Sequence, residues 1–385
     1  MSQAFASDFD RVIDRSNTSS SKWEKYAGQD ILPFWIADME FPAPKFVLDA
    51  IRERLDQEII GYTRVPDTLN RAFQGWLQRS CNWTVPDEWL VWVPGVVPGF
   101  NLAARAVAEP DSAVLIPTPV YYPFLTVPGN TGLEAQKVAL QPGSDGRWTM
   151  DVDALQASVT ERTRLLMFCN PQNPTGRVYS KAELTALADF CIEHNLTLCS
   201  DEIHCSLVLD EHARHIPVAS LSPEIAQRSI SLYAATKTYN IPGLPCAVAV
   251  IPNADLRAAF RTAKADLVPD VGPLAIAAST AAFADQSSYL PELKDYLRGN
   301  LKRLREVIGP RLTHLEGTYL AWVDMRDTAV ADRPGDFFES HGLGLSDGAA
   351  FGGPGFVRFN FACPRAFLEQ GLTRFETAMA ALSRD

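Results

Sequence analysis

The sequence of 385 residues predicts an α/β protein with a large domain, built on a doubly wound mixed sheet, and a smaller α+β domain. From residue 89 onward, short apolar runs alternate with stretches of helical spacing. Strands that alternate with helices pair in parallel through right-handed crossovers, which produces a doubly wound sheet. Beyond a long helical stretch towards the C-terminus, two more apolar runs predict the strands of the second domain.

The N-terminal arm and the first helices are predicted from local signals. Residues 1–45 are polar and interrupted by prolines, which predicts an extended arm with little helix. A helix is predicted at 44–57, and another at 67–80 because large apolar side chains recur on one of its faces. Ser180 and Glu183 form a capping box, which marks the start of a helix between two predicted strands.

The remaining elements follow from hydrophobic pattern. Six apolar runs predict the strands of the large domain, at 89–93, 113–117, 165–169, 196–200, 230–234 and 246–251. A helix is predicted at 98–108, after the first of these strands. The C-terminal part is predicted to contain a long helix, two strands and a closing helix, at 291–308, 318–323, 355–359 and 364–382. We therefore assign residues 48–285 to the large domain, and residues 1–47 together with 286–385 to the small domain.

Composition and charge indicate which classes of binding partner are unexpected and in which cellular compartment we expect the protein. A formal net charge of −11 without any run of Lys and Arg makes a nucleic-acid or anionic-membrane partner unexpected. The N-terminus has no basic stretch followed by an apolar one, so we expect no signal peptide, and no apolar run is long enough for a membrane span. The seven cysteines are odd in number and contain no Cys-x-x-Cys pair, which favours reduced thiols in the cytoplasm.

Three polar groups follow three of the predicted strands. Lys237 is a lone lysine among small and hydroxyl residues, between an apolar run and a Pro-Gly turn. Asp201 and Asn170 each come directly after another apolar run. Because parallel strands keep their carboxyl ends at one edge of a sheet, we expect an amine, a carboxylate and an amide to meet there.

This set of groups matches the needs of pyridoxal 5'-phosphate (PLP). The amine can form a Schiff base with the cofactor, the carboxylate can keep the pyridine nitrogen protonated, and the amide can donate to the phenolate oxygen. The alternative for Lys237 is a plain surface lysine. No metal site is expected, because the Cys, Asp and His residues between positions 199 and 215 do not match the usual spacing of zinc ligands.

Several short motifs, in order along the chain, resemble the aspartate-aminotransferase fold group of PLP enzymes (fold type I) and, within it, the MalY/PatB-like cystathionine β-lyases. The resemblance extends from about residue 9 to the C-terminus. Each motif is weak alone, whereas all of them in order are specific. They are Lys22-Trp23, residues 35–41, Gly61-Tyr62-Thr63, residues 94–98, residues 119–124, Ser200-Asp201-Glu202-Ile203-His204, and Arg358-Phe359-Asn360 followed by Cys363-Pro364-Arg365.

The resemblance implies how the phosphate of PLP is bound. Backbone N–H groups of Gly95, Val96 and Val97 lie at the start of a predicted helix, where they can hold an anion, although an ordinary strand-to-helix turn is the alternative. The Thr236 hydroxyl is expected to help. Tyr62 is expected to reach the phosphate of a neighbouring subunit, so the resemblance implies a homodimer with shared active sites.

The resemblance also assigns residues around the pyridine ring. Lys237, Tyr121 and Asp201 are expected to be catalytic, with the Tyr121 ring stacked on the pyridine and Asp201 against its nitrogen. Asn170 is expected to donate to the phenolate oxygen. His204 stands where many relatives have a tyrosine, and we expect it to support the cofactor.

The substrate is expected to bind on the small-domain side. A guanidinium group can hold an α-carboxylate with two parallel hydrogen bonds, and Arg358 matches the arginine of the family in this role, although a salt bridge between domains is the alternative. Ala37 and Tyr319 are expected to contact the substrate as well. The sequence departs from the family at Gln172, where related lyases have histidine, and at Leu244-Pro245-Cys246, the segment in which the wider fold group has an arginine for the phosphate.

The activity expected from this resemblance is that of a PLP-dependent cysteine-S-conjugate β-lyase. Lys237 would remove the Cα proton of L-cystathionine or another cysteine S-conjugate, and the products would be a thiol, pyruvate and ammonia. The first alternative is an aminotransferase, which starts with the same proton removal. The second is a PLP-binding regulator that acts through a protein partner. The sequence does not identify the natural substrate.

Overall fold

The computed structural model describes residues 7–143, 145–265 and 267–382. Within this part of the chain the central sheet has seven strands: β1 (Leu90–Val93), β2 (Ala113–Thr118), β3 (Glu134–Ala139), β4 (Thr163–Cys169), β5 (Thr197–Asp201), β6 (Ser229–Tyr233) and β7 (Ala247–Val250). Their order is β1-β7-β6-β5-β4-β2-β3. Strand β7 is antiparallel to both of its neighbours, and the other pairs are parallel. The predicted mixed, doubly wound sheet is confirmed.

Helices cover both faces of this sheet. They are α1 (Lys45–Leu55), α2 (Asp67–Cys81), α3 (Val96–Val107), α4 (Pro123–Thr131), α5 (Val152–Ser158), α6 (Lys181–Glu193), α7 (Ala254–Lys264) and α8 (Pro273–Ala284). In β2, Val114 and Ile116 pack with α3 and α4, whereas Leu115 between them packs with α6. Because such strands are buried on both faces, they appear in the sequence as continuous apolar runs. The predicted capping box of Ser180 and Glu183 is present at the start of α6.

Three features of the sheet differ from the prediction or were missed. Strand β3 lies at the edge of the sheet with most of its side chains exposed, so it lacks the apolar run of a buried strand. Strand β7 is antiparallel because the chain between Tyr233 and Ala247 contains no helix that could serve as a crossover. Helix α3 begins at Val96, two residues before the predicted start.

The C-terminal part forms a smaller antiparallel sheet in the order β8-β10-β9, with β8 at Leu320–Asp324, β9 at Ser346–Asp347 and β10 at Phe356–Asn360. It is accompanied by α9 (Tyr289–Ile308), α10 (Pro334–Ser340) and α11 (Arg365–Leu382). The N-terminal arm joins this part, because Leu32–Pro33 pairs in parallel with Leu343–Gly344. This pairing agrees with the assignment of the arm to the small domain, whereas the domain limits at residues 47/48 and 285/286 stay a prediction.

Smaller elements complete the description. They are the antiparallel pair of Gln141–Pro142 with Trp148–Thr149, the single helical turns Ser21–Glu24 and Pro223–Ala226, and the short 3-10 helices Asp87–Trp89, Val218–Ser220, Gly309–Arg311 and Gly348–Phe351. Across residues 7–143, 145–265 and 267–382, none of the helices combines the length and the apolar character that a membrane span requires.

Candidate active site

Two adjoining cavities lie at the edge of the central sheet where the parallel strands end. The inner cavity has a volume of 240 Å³. Asp201 at the end of β5 lines it, together with Gly95, Tyr121, Asn173 and Lys237 from the loops after β1, β2, β4 and β6. The outer cavity has a volume of 850 Å³; it shares Ala37, Tyr121 and Lys237 with the inner cavity and adds Arg358. The strand ends thus bring most of the predicted site residues together.

One end of the inner cavity is suited to an anion. Gly95 has φ 119° and ψ 159°, a backbone conformation that is essentially restricted to glycine. It places the start of α3, which has no side-chain cap, beside the cavity that Val96, Val97 and Thr236 also line. Free N–H groups and the positive end of a helix dipole bind phosphate. Pro245 also lines this cavity, and the described lining contains no arginine.

Asp201 is a buried carboxylate with 3% of its surface exposed. Its Oδ1 accepts a hydrogen bond of 3.0 Å from the backbone N–H of Ile203. Burial raises the pKa of Asp201 to about 7, although that N–H group and the charge of Lys237 act in the opposite direction. A buried carboxylate favours the protonated, positively charged form of a ring nitrogen placed against it, and that charge in turn stabilises the ionised carboxylate.

Lys237 presents its amine between the two cavities. Its Nζ donates a hydrogen bond of 2.6 Å to the carbonyl oxygen of Ala37 in the N-terminal arm. Burial, together with the positive charge of Arg358, lowers the pKa of Lys237 to about 8. The neutral amine is therefore accessible near physiological pH, as a nucleophile or a general base requires.

Arg358 is a buried guanidinium group, 3% exposed, on β10. Its Nη1 donates to Oδ1 of Asn173 at 3.0 Å and its Nη2 to the carbonyl oxygen of Trp35 at 2.7 Å, while the group stacks 4.6 Å from the centre of the Phe351 ring. These partners are neutral, and burial lowers the pKa of Arg358 to about 10. A buried cation without a carboxylate among the described residues is suited to bind an anionic ligand.

Two further predicted residues line the cavities. Tyr121 borders both of them, and burial raises the pKa of its hydroxyl to about 12, so the ring stays neutral. His204 borders the inner cavity, where burial and the charges of Lys237 and Arg358 lower its pKa to about 3. The His204 imidazole is therefore neutral, and its Nδ1 has no hydrogen-bond partner within the described chain.

The structure favours a different asparagine from the one predicted. Asn170 is fully buried behind the inner cavity, where its Oδ1 accepts a hydrogen bond from the backbone N–H of Tyr179, and it is not a lining residue. Asn173, three residues later in the same loop, lines the cavity and also holds Arg358. The sequence motif contains both asparagines at strand-end positions, so only the orientation of the loop distinguishes them.

Two predicted residues do not reach the cavities within this chain. Tyr319 is 1% exposed and lies behind the arm, where its hydroxyl donates to the carbonyl oxygen of Ala37 at 3.0 Å, so its position is one of support for Ala37. Tyr62 lies on a fully exposed loop and lines neither cavity. Gln172 is buried and donates to the carbonyl oxygen of Pro119 at 2.8 Å.

A mixed sheet that places a lysine, an unpaired carboxylate and an uncapped helix start around one cavity defines the class of fold type I PLP enzymes. The aminotransferase class I and II family matches this chain over residues 30–375. The chain belongs to this family.

The relatives with the same fold include lyases. Cystathionine β-lyase PatB of Bacillus subtilis (strain 168) is 33% identical over an alignment that covers 97% of this chain and 100% of that protein. The crystal structure of OvoB has 42% sequence identity and a TM-score of 0.94, covering 97% of this chain and 99% of that chain. The PLP-bound C–S lyase from Staphylococcus hominis has 31% identity and a TM-score of 0.90, covering 97% of this chain and 98% of that chain.

Proposed function

We propose that the chain is a PLP-dependent carbon–sulfur β-lyase that cleaves L-cystathionine or another cysteine S-conjugate to a thiol, pyruvate and ammonia. One observation carries this proposal: Lys237, Asp201 and Arg358 face adjoining cavities, burial shifts each of them towards its neutral form, and none of them forms an ion pair with another described residue. The relation to PatB and to the C–S lyase supports lyase chemistry.

The residues of the inner cavity fit PLP. The uncapped start of α3, with Gly95 in a glycine-only conformation, would hold the phosphate together with Thr236. Asp201 would hold the pyridine nitrogen, and Lys237 offers the amine for the aldehyde. When bound, PLP supplies an electron sink for the negative charge that develops at Cα. Asn173, which lines this cavity, replaces Asn170 as the proposed donor to the phenolate oxygen.

The substrate would be oriented from the outer cavity. Arg358 would pair with the α-carboxylate, which is the anion that this buried guanidinium group lacks. Asn173 and the carbonyl oxygen of Trp35 already accept hydrogen bonds from the two terminal nitrogens of Arg358, so the guanidinium group is preorganised. The Tyr121 ring would cover the cofactor side of the site and exclude water.

Lys237 would carry out the proton transfers. With a pKa of about 8, its Nζ can take the Cα proton as a neutral amine and then give a proton to the departing sulfur. Sulfur is a good leaving group because the pKa of a thiol is about 8.5, far below that of an alcohol. The carbonyl oxygen of Ala37 accepts the hydrogen bond of Nζ and so keeps the amine inside the site.

We also propose that two copies of the chain form a homodimer, with Tyr62 reaching the cofactor site of its partner. The support is the full exposure of Tyr62 together with the apolar residues Ile59 and Ile60, at 77% and 58%, in the same loop. A cytoplasmic location remains part of the proposal, and it is supported by seven cysteines that form no disulfide.

A single assay separates the lyase from the first alternative. Purified protein loaded with PLP is mixed with L-cystathionine in the absence of any keto acid. We expect continuous release of pyruvate and homocysteine, whereas an aminotransferase would stop after one turnover because it needs a keto acid to complete its cycle. A stop of that kind would contradict the lyase proposal.

The variant Lys237→Ala is the control for this assay and tests the second alternative. We expect it to fold and to release no pyruvate, because it lacks the amine for both cofactor attachment and proton transfer. A regulator that acts independently of turnover would keep its cellular effect in this variant.

A further inference from the structure

Residues 34–41 of the N-terminal arm, called the arm segment below, run between Lys237 and Arg358. The carbonyl oxygen of Trp35 accepts a hydrogen bond from Arg358 and that of Ala37 accepts one from Lys237, at 2.7 and 2.6 Å. The two cationic groups of the site are therefore held by backbone oxygens only two residues apart. The position of the arm segment sets where both groups point.

Asn240 holds the arm segment from the side of Lys237. Its Oδ1 accepts the N–H of Met39 at 2.9 Å, and its Nδ2 donates to the carbonyl oxygens of Met39 at 3.0 Å and Phe41 at 2.7 Å. All three bonding groups of the side-chain amide are thus directed at the arm backbone. Asn240 also has φ 51°, a left-handed conformation that asparagine tolerates better than most residues.

The short chain between Asn240 and Lys237 makes this link rigid. The N–H of Ile241 donates to the carbonyl oxygen of Thr236 at 3.0 Å, and the N–H of Tyr239 donates to that of Ala235 at the same distance. Lys237 and Asn240 therefore sit on one hydrogen-bonded turn. If the arm segment moves relative to Asn240, the carbonyl oxygen of Ala37 therefore moves relative to the Lys237 amine.

We propose that Asn240 is a positioning residue for the reaction, which clamps the arm segment so that the Ala37 carbonyl oxygen holds the free amine of Lys237 in line for proton transfer. This inference rests on the proposed function, in which Lys237 moves the Cα proton. Asn240 borders the outer cavity, and because its three side-chain hydrogen bonds all join it to the arm backbone, it acts through Ala37.

Asn360 provides the comparison on the opposite side. Its Nδ2 donates to the carbonyl oxygens of Ile36 and Asp38, both at 2.7 Å, and it lies two residues from Arg358 on β10. The two asparagines therefore clamp one segment to two functional side chains. Loss of the Asn240 clamp should affect proton transfer, and loss of the Asn360 clamp should affect carboxylate binding.

The test uses Asn240→Gly, because glycine accepts φ 51° without strain and removes only the clamp. We expect kcat about tenfold lower with KM within about twofold of wild type, since misplacement of a catalytic group lowers turnover more than binding. Asn360→Ala should instead raise KM. The matched control is Asn82→Gly, which replaces an exposed asparagine of φ 50° at the end of α2 and should leave both constants unchanged.

A second measurement does not depend on activity. Hydrogen exchange of the Met39 amide should become about tenfold faster or more in Asn240→Gly, because Oδ1 of Asn240 is the acceptor of that N–H, and it should not change in Asn82→Gly. PLP affinity, measured by titration, should stay within about threefold of wild type because Asn240 does not line the inner cavity.

Several outcomes would overturn the inference. They are unchanged kcat in Asn240→Gly, unchanged exchange at Met39, or a loss of PLP binding as large as the loss of kcat. If Asn240→Gly does not fold, Asn240→Asp keeps the acceptor for Met39 but removes both donors, and wild-type kcat in that variant would overturn the inference. A wild-type protein without lyase activity would instead contradict the proposed function, and the exchange at Met39 would still decide whether Asn240 clamps the arm.

Discussion

At the scale of single residues, burial of three ionisable groups lowers the stability of the folded protein. These groups are Asp201, Lys237 and Arg358. Burial is the largest cause of the pKa shift in each, upward for the carboxyl group and downward for the two cations. None of them has an ion pair among the described residues that would offset the loss of hydration. Groups of this kind persist where a ligand supplies the missing partner.

Asp201→Asn should therefore stabilise the protein when PLP is absent. The pKa of Asp201 is about 7 in the folded protein, above the usual 3.8. The protonated carboxyl group therefore stabilises the folded protein fully below about pH 4, and this stabilisation is lost as the pH rises to about 7. At about pH 8 the Asn variant should gain up to about 4 kcal/mol in free energy of unfolding, and the gain should vanish near pH 4. Urea unfolding of the apo protein at both pH values measures it.

The exposed Asp153 supplies the control for this comparison. Asp153→Asn removes the same charge from the exposed first turn of α5 and should lower the free energy of unfolding at pH 8 by no more than about 1 kcal/mol, opposite in sign to the effect at Asp201. An Asp201→Asn variant that is less stable than wild type at pH 8 would contradict the argument that Asp201 is uncompensated in the absence of cofactor.

At the scale of elements, the turn from β1 into α3 is the part of the fold that is built for the phosphate. A Cβ atom on Gly95 would meet Pro98 and Pro245 at 3.5 and 3.8 Å, which is ordinary contact. The requirement for glycine therefore comes from the backbone conformation and not from lack of space. That conformation brings the start of α3 to the inner cavity, in a site whose described lining contains no arginine.

Gly95→Ala should weaken PLP binding by about tenfold or more and cost about 1–3 kcal/mol of stability, because alanine cannot adopt this conformation without strain. The change in dissociation constant is measured by titration of the apo protein with PLP. Gly132→Ala is the matched control: its φ of 77° at the end of α4 is also positive, and open space surrounds it. It should lose about 1 kcal/mol of stability and keep the affinity for PLP. Equal PLP affinities in the two variants would refute the role given to the Gly95 turn.

At the scale of the whole molecule, the loop around Tyr62 exposes several apolar side chains to solvent. Ile59, Ile60 and Tyr62 are exposed within four residues of one another, and Leu55 at the end of α1 is 43% exposed. Contiguous exposed apolar residues mark an interface. A second copy of the chain would cover them and bring Tyr62 towards a cofactor site that lacks a phosphate arginine.

Mixing two inactive variants tests this assembly. In a dimer of Lys237→Ala with Tyr62→Ala, one site has both substitutions and the other has neither, so random pairing should restore about a quarter of the sites. We expect the mixture, after subunit exchange, to release pyruvate faster than the sum of the two separate variants. A mixture no more active than that sum, or a monomer by light scattering, would contradict shared sites.

The sequence by itself determined the doubly wound mixed sheet and most of its strands, and it led to the proposal of Lys237 and Asp201 as site residues. These features are local: a strand buried on both faces is a continuous apolar run, and a polar residue directly after it lies at the carboxyl edge. Gly95 was identified in the same way, because it separates a strand from a helix.

Only the tertiary structure decided which side chains face the cavities. Asn173 and not Asn170 lines the inner cavity, Tyr319 supports Ala37 from behind, and Asn240 clamps an arm that is 200 residues away in sequence. Strand β7 is antiparallel, and β3 is an exposed edge, for reasons of sheet order that no local pattern contains. The physical reason is that contacts with distant segments set both the direction of a side chain in a loop and the order of strands in a sheet. The burial of a strand, in contrast, can be predicted from the apolar residues of that strand.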